Sequence, residues 1–264
     1  MTDPSESPLL GGNLTDVVRL GDAVRRPCSP WTPTVHALLR HLERRAFTAA
    51  PRVLGLDDQK REVLAYMPGE VGHYPLPEWM WSNEVLDAAA RLLRRFHDAT
   101  TSFIPPFEAV WSLPPAPSDG SSFVICHNDF APYNVVFTDR LPAAIIDFDT
   151  VGPGPRVWDI AYALYRWVPL SDDPAVIPRG FSPPSSRSAR LRQFCDAYGL
   201  DERRDVVDVI EQRLQALVLY IENQAAAGDL AFVQLLASGH ADLYRRDLAF
   251  LLDHHEEWRY ALDT

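Results

Sequence analysis

Hydrophobic and polar positions change their spacing near residue 70, and this change predicts two regions. Before it, short apolar runs flank the turn signals Gly21-Asp22 and Asp57-Asp58, which is typical of two β-hairpins. Between the hairpins, residues 32–47 place apolar side chains on one face of a helix, with Thr34 as its expected N-cap. The first region is therefore predicted to be a small antiparallel sheet with one helix.

The second region predicts mainly helices. Apolar residues recur at helical spacing in five segments, and Gly228 is the expected stop between the last two. These segments are residues 83–101, 158–168, 188–198, 203–227 and 230–260. Two short strands, at 134–137 and 143–149, interrupt the helical pattern. The fold class is therefore α+β, with a leader at 1–12, a small lobe at 13–68, a larger helical lobe at 69–264, and a ligand cleft expected between the lobes.

Composition narrows the classes of function. The 264 residues carry a net charge of −11, which argues against nucleic acid as a partner and is compatible with a cationic small molecule. The three cysteines are far apart and form no metal-binding spacing, which indicates a reducing compartment. No apolar run is long enough to span a bilayer, and the N-terminus lacks the pattern of a signal peptide. We expect a cytoplasmic protein, a monomer or homodimer, with no membrane partner.

Three polar residues stand between apolar runs in the stretch "FVICHNDFAPYNVVF", where a plain strand would be expected. They are His127, Asp129 and Asn134. The spacing D-x-x-x-x-N is that of a phosphoryl-transfer loop, in which the aspartate accepts a proton from the attacking hydroxyl and the asparagine oxygen binds Mg²⁺. Capping residues in a turn are the ordinary alternative for each residue taken alone.

Asp147 ends the next apolar strand, in "AIIDFDTVG", and Asp149 follows two residues later. A carboxylate at this place is suited to Mg²⁺ that bridges ATP phosphates, and Asp149 could bind the same ion directly or through water. The cluster of Asp129, Asp147 and Asp149 with His127 also allows a metal-dependent hydrolase. In a hydrolase of this kind Asn134 would have no evident role.

Together "HNDFAPYNVVF" and "AAIIDFDTVGPGPRVWDIAYAL" resemble the core signature of the aminoglycoside phosphotransferase family, within the protein-kinase-like fold that also includes choline kinases. The resemblance implies a bilobal kinase-like fold that uses ATP and Mg²⁺. It implies that Asp129 is the catalytic base, that Asn134 and Asp147 bind Mg²⁺, and that His127 and Asp159 support the loop.

The segment "EVLAYMPGE" resembles the family's interlobe hinge. The resemblance implies that the Ala65 carbonyl and the Met67 N–H face the adenine edge, with Gly69 at the bend.

The sequence departs from the family at the phosphate-binding end. Arg25 stands where the family has a lysine, and the only lysine of the chain, Lys60, lies in a turn. The glutamate that should pair with this position has no secure counterpart, since the helix offers His36 and, two turns later, Glu43. A glycine-rich loop is represented only by Gly11 and Gly12, ahead of the first hairpin.

The leading hypothesis is an ATP- and Mg²⁺-dependent O-phosphotransferase that acts on a small hydroxylated molecule, either an antibiotic such as an aminoglycoside or another natural product or metabolite. The second is a kinase-like protein that binds nucleotide but has weak or no catalysis. Acidic and aromatic residues of the helical lobe are candidates for binding the acceptor: Asp196, Glu211, Glu222, Asp242, Asp253, Trp158, Tyr162 and Trp258.

Overall fold

The chain forms two compact units, each built from two stretches of sequence. The computed structural model describes residues 7–8, 17–117, 123–171 and 186–263. The first unit combines Met1–His73 with Leu92–Arg156, and the second combines Tyr74–Arg91 with Val157–Thr264. The expected catalytic segment therefore belongs to the same unit as the N-terminal sheet, whereas the sequence predicted a boundary after residue 68.

The first unit contains a five-stranded antiparallel sheet. Its strands are β1 (Ser7–Pro8), β2 (Val18–Leu20), β3 (Ala23–Arg26), β4 (Val53–Leu56) and β5 (Glu62–Ala65), in the order β1-β2-β3-β5-β4. Both predicted hairpins are confirmed, and the helix between them is α1 (Thr32–Arg44). The leader is more ordered than expected at one place, because Ser7 and Pro8 pair with β2.

Helix α1 begins before its predicted cap. Its N-cap is Trp31 and makes no side-chain capping bond, and a proline occupies the first turn, where its missing N–H costs nothing. The prediction that Thr34 is the cap was wrong. The Thr34 hydroxyl instead accepts a hydrogen bond from the backbone N–H of Val110 at 3.0 Å.

Two smaller sheets complete the first unit. Strands β6 (Glu70–Val71), β8 (Val135–Thr138) and β9 (Leu141–Ile145) form one, and β7 (Phe123–Cys126) pairs with β10 (Gly152–Pro155) in the other. The last two turns of helix α2 (Asn83–Thr100) lie in this unit. Its buried Phe96 packs against Phe47 and Phe148, with ring centroids about 6 Å apart.

The second unit is helical, as predicted. Its helices after α2 are α3 (Arg156–Trp167), α4 (Arg187–Tyr198), α5 (Val206–Ala226), α6 (Leu230–Ala237), α7 (His240–Asp253) and α8 (His255–Asp263). The single long helix predicted at 230–260 is three helices. Gly239, with φ +81°, takes a left-handed conformation that a continuous helix does not permit. Within the described residues, no helix combines the length and the apolarity needed to cross a membrane.

Candidate active site

Two loops of the first unit are joined side by side. One follows β7 and carries His127, Asn128 and Asn134, and the other follows β9 and carries Asp147 to Thr150. The Asn128 side chain donates to the Thr150 carbonyl at 2.9 Å, and the Thr150 hydroxyl donates to the His127 carbonyl at 2.9 Å. This reciprocal pair fixes the separation of the two loops.

The first loop holds both backbone groups of Ile146, and this fixes the direction in which the next residue points. Its N–H donates to the Asn134 carbonyl at 2.9 Å, and its carbonyl accepts from His127 Nε2 at 3.0 Å. Asp147 then adopts φ +60° and ψ +73°, a left-handed conformation that is rare for a residue other than glycine. Such strain is found where the surrounding structure imposes it, often at functional sites.

Asp129 is oriented by its own loop. The Tyr133 hydroxyl donates to Asp129 Oδ1 at 2.6 Å, and Asn134 Nδ2 donates to Asp129 Oδ2 at 2.8 Å and to the Asp129 carbonyl at 3.0 Å. Because the Asn134 amide nitrogen is engaged in this way, its amide oxygen is the atom left to serve as a ligand. Tyr133 was not singled out from the sequence, since a tyrosine beside a turn has many ordinary roles.

The arginine that reaches the site is Arg26 rather than Arg25. Arg26 Nη2 lies 2.7 Å from Asp149 Oδ1, and Arg26 Nη1 lies 3.3 Å from Asp147 Oδ1. Arg25 lies on the other face of β3, with Nε 3.6 Å from Asp57 Oδ2, and does not line the cavity described below. The sequence analysis had assigned Arg25 to the phosphate-binding position, whereas the arginine that lines the cavity is the next residue, Arg26.

Glu62 and His36 complete a buried network that the sequence did not predict. Arg26 Nε donates to Glu62 Oε1 at 2.5 Å, and His36 Nε2 donates to Glu62 Oε2 at 2.9 Å. Glu62 is 1% exposed and Arg26 is 8% exposed. The carboxylate partner therefore comes from β5, directly opposite Arg26 in the strand pairing, while helix α1 contributes the histidine.

Charge and burial oppose each other in this network. Burial alone would lower the pKa of Arg26, but Asp149, Glu62 and Asp147 together raise it. Burial would raise the pKa of Glu62, but the hydrogen bond from His36 and the charge of Arg26 hold it below its ordinary value. Burial raises the pKa of Asp149 despite the nearby Arg26. Arg26 and Glu62 are thus held as an ion pair.

A cavity of 220 Å³ in the first unit lies against these residues. Its wall is mostly apolar, and the predicted Ala65 and Met67 line it together with Arg26, Asn134 and Asp147. The carboxylate of Asp147 is 49% exposed. An apolar pocket with a few polar groups at one end is the usual form of a small-molecule site.

The remaining predicted residues lie as follows. His127 is fully buried among aromatic rings, with its ring centroid 5.2 Å from that of Phe148, and its expected support of the loop remains a prediction. Asp159 is fully buried in the first turn of α3, in the second unit, and its expected support of the loop remains a prediction. Gly11 and Gly12 lie outside the described residues.

Two solved structures share the fold of this chain. A choline/ethanolamine kinase family protein from Mesorhizobium loti shares it with a TM-score of 0.60 at 18% identity, over 95% of this chain and 92% of that one. Amicoumacin kinase hAmiN, whose structure is a complex with AMP-PNP, Ca²⁺ and Ami, shares it with a TM-score of 0.65 at 15% identity, over 95% and 89%. The predicted kinase-like α+β fold is confirmed.

The family follows from the sequence comparisons. The family described as "Phosphotransferase enzyme family" matches residues 105–181. The trifolitoxin immunity protein of Rhizobium leguminosarum bv. trifolii is 36% identical over 231 residues, which are 82% of this chain and 87% of that protein. This chain belongs to the phosphotransferase enzyme family and is a small-molecule kinase, as its resemblance to that family implied.

Proposed function

We propose that this kinase transfers the γ-phosphoryl group of ATP, with Mg²⁺, to a hydroxyl group of a small molecule. The observation that carries the proposal is the meeting of Asp129, Asn134 and Asp147 on two hydrogen-bonded loops, the last two lining a cavity that Arg26 also lines. Phosphoryl transfer needs little beyond positioning and charge neutralisation, and these residues supply both.

Asp129 is the proposed base. The acceptor oxygen forms a bond to the γ-phosphorus, the bond from that phosphorus to the β–γ bridging oxygen breaks, and the hydroxyl proton passes to Asp129. Hydrogen bonds from Tyr133 and Asn134 fix both carboxylate oxygens before an acceptor arrives. A carboxylate held in this way needs no rotation to meet the hydroxyl.

The residues present fit Mg²⁺. This ion is usually held by one or two protein oxygen ligands together with phosphates and water. The Asn134 amide oxygen and the half-exposed carboxylate of Asp147 are two such ligands on the cavity wall. When bound, the ion would supply positive charge to the transferred phosphoryl group. The AMP-PNP and Ca²⁺ in the amicoumacin kinase complex support this use of nucleotide and divalent metal by analogy.

The apolar cavity is the proposed adenine site. The Ala65 carbonyl and the Met67 N–H would bind the base edge, and Val24 and Leu64 would contact its faces. Arg26 takes over the phosphate-binding role first expected of Arg25. Asp149, which the sequence placed with the cofactor ligands, would act through its ion pair with Arg26.

The acceptor is proposed to be a hydroxylated natural product, such as an antibiotic. The related immunity protein and the amicoumacin kinase point in this direction by their names. Positive charge on the acceptor is not required by the helical unit, because three of its candidate acids already pair with arginines. Arg245 pairs with Glu222 and Asp242, and Arg203 pairs with Asp196.

The test measures ATP consumption against a panel that includes trifolitoxin, gentamicin, streptomycin, choline and ethanolamine. We expect Asp129→Asn to lower turnover by about 100-fold or more, since a positioned base contributes on that order. Its affinity for Mg-AMP-PNP, measured by calorimetry, should stay within about threefold of wild type, since Asp129 is not among the residues that line the cavity. Asp139→Asn is the matched control, because Asp139 is an exposed aspartate in the β8–β9 turn.

Turnover that survives Asp129→Asn unchanged would refute the role of the base. Tight Mg-AMP-PNP binding with no turnover on any acceptor, in wild type as in the variant, would favour the alternative of a nucleotide-binding protein without catalysis.

A further inference from the structure

Arg26 contacts the carboxylate of Asp147, which is a proposed metal ligand. Its Nη1 lies 3.3 Å from Asp147 Oδ1, and its Nη2 lies 2.7 Å from Asp149 Oδ1. A guanidinium and a divalent cation repel each other and compete for the same ligand atoms. When both are close to Asp147, each weakens the interaction of the other with this carboxylate, so tight binding of the metal requires Arg26 to move away.

The contacts of Arg26 show which part of it can move. Its Nε is fixed to Glu62 Oε1 at 2.5 Å, and Glu62 is held in turn by His36. Glu62 is buried, whereas the side chains of Asp147 and Asp149 are 49% and 26% exposed. The Nε end is therefore an anchor, and the two Nη groups at the cavity wall are the ends that can exchange partners.

We propose that Arg26 couples the binding of metal to the binding of nucleotide. Without nucleotide, its Nη groups neutralise Asp147 and Asp149 and keep divalent metal from binding. When nucleotide phosphates enter, the two Nη groups move to phosphate oxygens, which they bind as a fork, while Nε stays on Glu62. Asp147 is then released to the metal. This inference rests on the proposed function, and it adds a coupling residue to that site.

Removal of the Arg26 guanidinium should have opposite effects on metal affinity without nucleotide and on the enhancement of that affinity by nucleotide. A side chain that only cross-linked the structure would not produce this difference. Removing the guanidinium should strengthen metal binding in the absence of nucleotide. Removing the guanidinium should also reduce the increase in metal affinity that nucleotide causes, because no Nη groups would then move from Asp147 to the phosphates. The coupling between the two ligands is reciprocal, so the increase in nucleotide affinity that metal causes should fall as well. A residue that only stabilised the fold would weaken both.

The experiment measures Mn²⁺ affinity by electron paramagnetic resonance, with and without AMP-PNP, for wild type and for Arg26→Gln. We expect Arg26→Gln to bind Mn²⁺ alone about tenfold more tightly, and to lose about tenfold of the enhancement by AMP-PNP, within the usual range of coupling. Arg25→Gln is the matched control on the same strand, and we expect it to change neither quantity, since Arg25 pairs with Asp57.

Glu62→Gln serves as a second variant, because it keeps the guanidinium and removes the charge of its anchor. We expect its affinity for Mn²⁺ alone to remain as low as in wild type while the enhancement by AMP-PNP falls. If Arg26→Gln leaves Mn²⁺ affinity unchanged or weaker, and AMP-PNP still binds, the coupling is refuted while the proposed function stands. If wild type binds no AMP-PNP at any Mn²⁺ concentration, both are refuted.

Discussion

Gly69 offers the sharpest test of how the cavity is built. It precedes β6 with φ +147°, a conformation that residues with a side chain rarely adopt. A Cβ added there would lie 2.5 Å from Val136 Cγ1 and closer still to the Phe137 carbonyl oxygen on β8. An alanine at this position would therefore meet two costs, one from its own backbone and one from its neighbours.

Gly55 separates the two costs. It has a similar φ of +134°, but nothing lies within 4 Å of the place where its Cβ would be. We expect Gly55→Ala to lower the free energy of unfolding by about 1–3 kcal/mol from backbone strain alone. Gly69→Ala should add about 1–3 kcal/mol for overpacking, because the Phe137 carbonyl belongs to a paired strand and cannot rotate away.

The assay is urea unfolding followed by tryptophan fluorescence and far-ultraviolet circular dichroism, with thermal midpoints as a check. Both glycines lie in the first unit, so the same cooperative transition reports on both. If the two variants lose the same stability to within about 0.5 kcal/mol, the reasoning from close approach fails. In that case strand β8 gives way more easily than its pairing suggests.

Two further predictions concern side chains near and away from the site. Iodoacetamide at neutral pH should modify Cys28 alone in the folded protein and all three cysteines after denaturation, as read by mass spectrometry. Cys126 and Cys195 are fully buried, and burial raises the pKa of Cys195 to about 12; labelling of Cys195 in the native state would contradict this. Glu62→Gln should cost about 2 kcal/mol at neutral pH, where the charged hydrogen bonds of Glu62 stabilise the fold. The pKa of Glu62 in the folded protein lies below its ordinary value of 4.5. The difference in the free energy of unfolding between wild type and Glu62→Gln should therefore shrink only as the pH falls below 4.5. A difference that does not change with pH would contradict the ion pair.

The grouping of the candidate loop residues could be predicted from the sequence because it is local. Asp129, Asn134 and Asp147 belong to one loop and the hairpin that follows it, and their spacing carries the information. Asp147 is brought toward Asn134 by a backbone hydrogen bond from Ile146 to Asn134, one residue beyond the Val135–Ile145 pair of β8 and β9. The resemblance to the aminoglycoside phosphotransferase family implies a role for each residue, and these roles remain predictions.

Which arginine lines the cavity depends on strand parity and on a distant partner, and this is why the sequence pointed to Arg25 rather than Arg26. Side chains alternate along a strand, so a shift of one residue reverses the face. Val24 lines the cavity and Arg26, two residues later, lines it as well, whereas Arg25 points to the other face. The apolar Val24 was a signal that could have selected Arg26. Its partner Glu62 is 36 residues away, and only the β3–β5 register brings them together.

In the proposed site, the charges around Arg26 favour the binding of metal and nucleotide together. One guanidinium meets three carboxylates, those of Glu62, Asp147 and Asp149, which leaves a net charge of −2 when all are ionised (+1 − 3 = −2). The phosphates of a nucleotide without metal would add negative charge to this cluster and would be repelled. A divalent cation alone has the right charge, but it must compete with Arg26 for Asp147. In the proposed coupling, the cation compensates the carboxylates when both bind, and the Nη groups of Arg26 bind the phosphates. A lysine at position 26 could not do the same, because a single ammonium cannot stay anchored on Glu62 and present two further donors in a fixed fork.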